Sequence, residues 1–211
     1  MKKYDTIIFD FDGVIGDSFE YVVDVIYKNV KSHTKLKLTK KQIAKEIREV
    51  SIFEILKQYK IPKIFVPIIV FKIKKDLSKR VEHTKPFNGI IEQLKNLNES
   101  YTLHLLTSNS NSIIKSFLEQ NEIKYLFKSV KTSSSFLNKS KSIEKLIKKE
   151  TLDKNTTLYI GDEIRDIVAC QKVGIDIAVV SYGFNSKQLL KEYNPSYLID
   201  SVEEIKKKNK Q

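Results

Sequence analysis

Cysteine is nearly missing from this 211-residue chain: Cys170 stands alone, so no disulfide can close within it, which suits a reducing compartment such as the cytoplasm. Long apolar runs are missing too. The longest, Ile64 to Phe71, is interrupted by Pro67 and falls far short of the roughly 20 residues that cross a bilayer. The opening Met1-Lys2-Lys3-Tyr4-Asp5 meets an acidic residue before a leader's apolar core can form. Neither a membrane span nor a secretory leader is expected. Arginine is scarce, with Arg48, Arg80 and Arg165 alone, so lysine supplies most of the formal net charge of +12. The lysines are spread over nearly every segment, and no basic stretch has interleaved aromatics, so nucleic acid is not an expected partner. Such a surface still steers small anions. His33, His83 and His104 show no ligand spacing, and His104, inside an apolar run, reads as a core residue.

What is present is periodic. Thr6-Ile7-Ile8-Phe9 is a short β-branched run that ends in acidic residues and Gly13, as a buried strand feeding a loop does. Phe19, Val22, Val23, Ile26, Tyr27 and Val30 then recur at helical spacing. Thr39 opens a second helix with Ile43, Ala44, Ile47 and Val50 on one face, and Ser51-Ile52-Phe53-Glu54 has the capping-box pattern of a third. Another helical stretch follows Pro62 to about Glu82, so residues 17–85 read as a strandless helical bundle inserted after the first strand.

Pro86-Phe87-Asn88-Gly89 punctuates the chain, and strict alternation follows. Helices are predicted over 90–98, 112–121, 142–149, 164–173 and 186–193, and strands over 102–106, 127–132, 157–160, 177–180 and 197–199. The predicted fold is therefore α/β, a Rossmann-like, mainly parallel sheet with helices on both faces. Its ligands should bind beyond the carboxyl ends of the strands. The predicted domains are a core of residues 1–16 and 86–211 and a small all-helical unit of residues 17–85.

Four polar groupings fall at those strand ends. Asp10 and Asp12 lie two residues apart in Phe9-Asp10-Phe11-Asp12-Gly13-Val14, so an extended chain directs both to one side. Leu106-Thr107-Ser108-Asn109 ends a strand in hydroxyls just before a helix, an arrangement that serves as an anion site or as a helix cap. Lys139 precedes the helix expected from Ser142, with Lys141 two residues on. Gly161-Asp162-Glu163-Ile164-Arg165-Asp166 supplies three carboxylates. Arg165 reads as a structural ion-pair partner of these carboxylates, and Cys170 on the next helix as a packing residue.

Taken in this order, Asp-x-Asp-Gly-Val, a Thr/Ser strand end, a lysine and Gly-Asp-x-x-x-Asp resemble the haloacid dehalogenase superfamily over almost the whole chain. The helical insertion resembles the cap of its phosphoglycolate phosphatase-like branch. The resemblance implies a phosphatase acting on a small phosphate ester through an aspartyl-phosphate, with Asp10 as nucleophile and Asp12 as acid and base. It implies Mg²⁺ held by Asp10, Asp162 and the backbone carbonyl of Asp12, with Asp166 holding a water of the cation. It implies Thr107, Ser108, Asn109 and a lysine as the phosphate cradle. That lysine is Lys139, where the family commonly has Gly-Lys and this chain has Asn138-Lys139, or else Lys141. Asp12 argues for phosphate over halide, because halide leaves without a proton. A phosphomutase and a catalytically silent binding module of the same fold are the alternatives.

Overall fold

The structure, a computed structural model, describes residues 4–33, 38–50, 76, 84–133 and 138–207. Strand β1 (Thr6–Phe9) leads to a two-residue strand β2 (Gly16–Asp17), then to helices α1 (Phe19–His33) and α2 (Lys40–Glu49). A second two-residue strand, β3 (Lys85–Pro86), precedes the alternating part: α3 (Ile90–Asn98), β4 (Thr102–Thr107), α4 (Asn111–Gln120), β5 (Phe127–Thr132), α5 (Lys139–Glu150), β6 (Thr157–Gly161), α6 (Ile164–Val173), β7 (Asp176–Val180), α7 (Lys187–Glu192), β8 (Tyr197–Ile199) and α8 (Glu204–Lys207). The six-stranded sheet runs β5-β4-β1-β6-β7-β8, every pair parallel. Strand β1 therefore sits centrally between β4 and β6.

Alternation along the strands divides the core into two layers. Ile7, Phe9, Leu103, Leu105, Leu158 and Ile160 face α3 and α4 with Leu94, Leu97, Ile114 and Phe117. Ile8, Leu106, Tyr159, Ile177 and Val179 face α5, α6 and α7 with Ile143, Leu146, Ile167, Cys170 and Leu190. Strands buried on both faces carry continuous apolar runs, and each such side chain taken fully from water stabilises the fold by about 1.5–3 kcal/mol. Cys170 is buried among them, a packing residue as expected. Among the described residues no helix is long and apolar enough to cross a membrane.

Two expectations need correction. The segment 17–85 is not strandless at its ends: Asp17 pairs with Lys85 and Gly16 with Pro86 in an antiparallel ladder joining its entry and exit. Two-residue strands leave no periodic signal. Helix α5 starts at Lys139, not near Ser142, because its first turn, Lys139-Ser140-Lys141-Ser142, has no apolar residue to mark it. The helices predicted from Ser51 and after Pro62, together with Lys79, Arg80 and His83, lie outside the described residues.

His104 is fully buried on β4, with Nδ1 2.7 Å from Ser129 Oγ on β5. Burial, opposed by Glu150 and reinforced by Lys128, pushes its pKa below the ordinary histidine value. The unfolded chain thus takes up a proton that the folded chain resists. Stability from this site is complete above about pH 6.5 and is lost as pH falls toward the folded pKa. Thermal melts at about pH 7.5 and about pH 5.5 are expected to show a larger drop in Tm for the wild type than for His104→Gln. Equal drops contradict the assignment.

Candidate active site

Asp10 continues β1 by one residue: its N–H donates to Ile160 O on β6 at 2.9 Å. Its side chain is 3% exposed, with Oδ1 accepting the Phe11 N–H at 2.8 Å and Oδ2 paired to Lys139 Nζ. The same ammonium lies 2.9 Å from Asp166 Oδ1 and over the Tyr159 ring, 5.4 Å from its centroid. Lys139, not Lys141, is therefore the lysine at the carboxylates; Lys141 is exposed on a separate hollow with Lys131, Lys145 and Lys149.

Asp162 and Asp166 flank the junction of β6 and α6, and both are fully buried. Asp166 Oδ2 accepts the N–H groups of Asp162 and Glu163, each at 3.2 Å, so it ties down the first turn that carries it. Asp162 Oδ2 accepts the Phe184 N–H at 2.7 Å, while its Oδ1 has no hydrogen-bond partner among the described residues. Arg165 pairs with Glu163, Nη2 to Oε1 at 2.5 Å, the structural ion pair anticipated from the sequence.

Oxygens of Asp10, Asp162 and Asp166 lie within 4.8 Å of one another. Three carboxylates share the one ammonium of Lys139, so ionising all of them in this buried place would leave a formal excess of two negative charges. Burial pushes the Asp162 carboxyl well above its ordinary pKa, and Glu163, Asp166 and Asp10 add to the shift. Burial likewise raises Asp10 against the opposing pull of Lys139. At Asp166 burial is outweighed by Lys139 and Arg165, and the carboxyl lies below its ordinary pKa. Burial also works against the Lys139 charge, but Asp10 and Asp166 hold that ammonium above the usual lysine value. An all-oxygen donor set with an orphaned buried carboxylate oxygen, and carboxyls whose ionisation is held back for want of positive charge, fits a hard divalent cation.

Asp12 stands beside this group on the loop after β1. Ser18 Oγ donates to its Oδ1 and Asn109 Nδ2 to its Oδ2, each at 2.7 Å. Burial raises its pKa, with the Ser18 hydrogen bond opposing and the Asp10 charge adding. Asn109, assigned to phosphate binding from the sequence, thus holds Asp12. The N-cap of α4 is Ser110, not Asn109. Thr107 is buried at the end of β4, and its Oγ1 accepts the Asn109 N–H at 3.1 Å, fixing the loop in which Ser108 is half-buried. Ser110 makes no side-chain cap, so the first N–H groups of α4 have no side-chain acceptor there. Ser18 escaped the sequence reading because a lone serine six residues beyond an aspartate has no distinguishing spacing.

Gly13 is required where the β1 loop crosses Asp162. Its φ is +73°, and an added Cβ would lie 1.9 Å from Asp162 Oδ2. Gly13→Ala is expected to lower the unfolding free energy by about 1–3 kcal/mol, the usual cost of overpacking, read as a lower urea midpoint. An unchanged midpoint contradicts this packing.

Comparison with known proteins agrees with the geometry. The chain is 26% identical to a phosphoglycolate phosphatase of Synechococcus elongatus over 94% of each protein. It is 19% identical to the pyrophosphatase PpaX of Halalkalibacterium halodurans, over 96% of this chain and 95% of that one. Its fold matches a haloacid dehalogenase-like family hydrolase from Streptococcus pneumoniae with a TM-score of 0.83, at 21% identity over 99% of each chain. A family model described as haloacid dehalogenase-like hydrolase matches residues 7–180, and the chain belongs to that family.

Proposed function

We propose that this phosphatase hydrolyses a small organic phosphate monoester in two steps through a phosphoryl group carried on Asp10. The observation that supports this most is that two neighbouring carboxylates have unlike partners: Asp10 faces the Lys139 ammonium, and Asp12 is held by two neutral donors. Two titratable groups in different environments are what a nucleophile and an acid need.

Asp10, Asp162 and the backbone carbonyl of Asp12 are the proposed donors to Mg²⁺, with Asp166 proposed to hold a water of the cation. When bound, the cation supplies the positive charge that lets a carboxylate approach a phosphate dianion. Asp10 then forms a bond to phosphorus as the bond to the leaving alcohol breaks, and protonated Asp12 gives its proton to that oxygen. In the second step Asp12 takes a proton from water as the water attacks phosphorus, and the Asp10 carboxylate is released. Lys139 stabilises Asp10 and the equatorial oxygens in both steps, with Thr107, Ser108 and the N–H groups at the start of α4 as the proposed remaining cradle. Asn109 and Ser18 keep Asp12 aimed.

Residues 17–85 are the proposed cap, their ends tied by the β2–β3 pair, closing over the strand ends to exclude water and select the leaving group. Phosphoglycolate and pyrophosphate, named for the two relatives, are both small phosphates that carry a second anionic group, and a small phosphate monoester with such a second group is the proposed substrate. A cytoplasmic setting suits such a substrate and the lone buried Cys170.

Incubation of p-nitrophenyl phosphate with the wild type and Mg²⁺ is expected to release inorganic phosphate, and Asp10→Asn is expected to abolish both release and any burst. Asp12→Asn is expected to retain a burst of p-nitrophenol, since that leaving group needs no proton, and to lose steady-state turnover by about 10²–10⁴-fold. Turnover by Asp10→Asn, or undiminished steady-state turnover by Asp12→Asn, refutes the corresponding role. Chelation of divalent cations is expected to stop turnover and Mg²⁺ to restore it; undiminished turnover in chelator contradicts the cation assignment.

A further inference from the structure

The loop after β7 does two things at once. On the core side, the Phe184 N–H donates to Asp162 Oδ2 at 2.7 Å, and the Asn185 N–H reaches Asp162 O at 3.4 Å. On the side of the inserted helices, the Phe184 ring packs edge-on against Phe19, 5.4 Å between centroids, in a cluster with Val23, Ile43 and Ile47. Arg48 of α2 donates from Nη1 to Gly183 O at 3.1 Å and lies over the Phe19 ring, and Ser186 N–H donates to Arg48 O at 2.8 Å.

Asn185 joins the two sides through one amide. Its side chain is 3% exposed. Nδ2 donates to Ile47 O at 2.9 Å, a carbonyl in the last turn of α2, and Oδ1 accepts the Ile164 N–H at 2.9 Å, the first residue of α6. Each is a group that a helix end leaves without an intrahelical partner. The partners fix the orientation, since a carbonyl only accepts and an N–H only donates. Gly183 is the contact residue that brings the loop this close, as a Cβ there would lie 2.4 Å from Asp162 Cβ.

We propose that Asn185 is a positioning residue that ties helix α2 to the acidic end of β6, so that cation binding at Asp162 and Asp166 and the seating of the proposed cap are linked. The inference rests on the proposed cation role of Asp162. It follows because the amide is buried and doubly bonded: moving α2 away strips the donor bond, and the remaining bond holds the first turn bearing Asp166. By reciprocity, whatever orders Asp162 orders α2 as well.

The test is amide hydrogen exchange by mass spectrometry on the full chain, with and without Mg²⁺. Without Mg²⁺, Asn185→Ala is expected to raise exchange by about tenfold in both 40–49 and 162–168, because both helix ends lose a buried partner. Thr39→Ala removes the N-terminal cap of α2, where Gln42 N–H donates to Thr39 Oγ1 at 3.3 Å, and is expected to raise exchange in 40–49 alone. With Mg²⁺, the wild type is expected to gain protection in both segments and Asn185→Ala in 162–168 alone, a loss of transmission that simple destabilisation does not produce. A change confined to one segment in metal-free Asn185→Ala, or Mg²⁺ protection of 40–49 that survives the substitution, overturns the proposal. Should Asn185→Ala fail to fold, Asn185→Asp keeps an acceptor for the Ile164 N–H and removes the donor to Ile47 O, and is expected to lose the Mg²⁺ protection of 40–49; protection there that survives overturns the proposal equally. If Mg²⁺ protects 162–168 in no protein, the cation reading fails, while the metal-free comparison still decides whether the tie exists.

Discussion

Carboxylates crowd the carboxyl ends of β1 and β6, and the fold has to keep them together without water around them. Asp10, Asp162 and Asp166 bring their oxygens within 4.8 Å, with one ammonium, that of Lys139, among them. Removing one partner of a buried pair leaves an uncompensated charge and costs about 3–5 kcal/mol, so each local feature that supports the group has a clear physical purpose. Asp166 is neutralised in part by two backbone N–H groups, Asp162 by the Phe184 N–H, and glycine at 13 gives the chain room to pass. What these contacts leave over is two more carboxyl groups than ammonium groups and an orphaned oxygen on Asp162. The proposed chemistry follows from that imbalance, since a site short of positive charge accepts a divalent cation and, with it, a phosphate.

The sequence made the strands and most helices readable because each is buried on a defined face. Thr6–Phe9, Ile90–Asn98, Phe127–Thr132, Ile164–Val173 and Tyr197–Ile199 fall where their apolar patterns predict. Where polarity masked the pattern the boundaries slipped, as in the Lys-Ser-Lys-Ser turn opening α5, and two-residue strands gave no signal at all. The site was legible as an order of motifs at strand ends, which parallel topology must bring side by side. Hydrogen-bond partnership was not. Nothing in linear spacing marks Ser18 or Asn109 as donors to Asp12, or Asn185 as a bridge between helices, because those pairs form only when separate segments meet.

The lysine-rich surface fits this picture as well. A formal charge of +12 spread over the chain attracts small anions, while Asp10, Asp162 and Asp166 gather at the strand ends. The two neutral donors to Asp12 separate its environment from that of Asp10, which faces an ammonium. That difference, set by three side chains from different segments, is what lets neighbouring carboxylates be assigned unlike roles.

The central claim is that phosphate passes through Asp10. Acid-quenching the wild-type protein during turnover of a small phosphate ester, followed by proteolysis and mass spectrometry, tests it most directly. One phosphoryl group is expected on the peptide containing Asp10, labile to hydroxylamine and absent from Asp10→Asn. Steady release of phosphate with no phosphoryl group on that peptide, or with one on another residue, would contradict it.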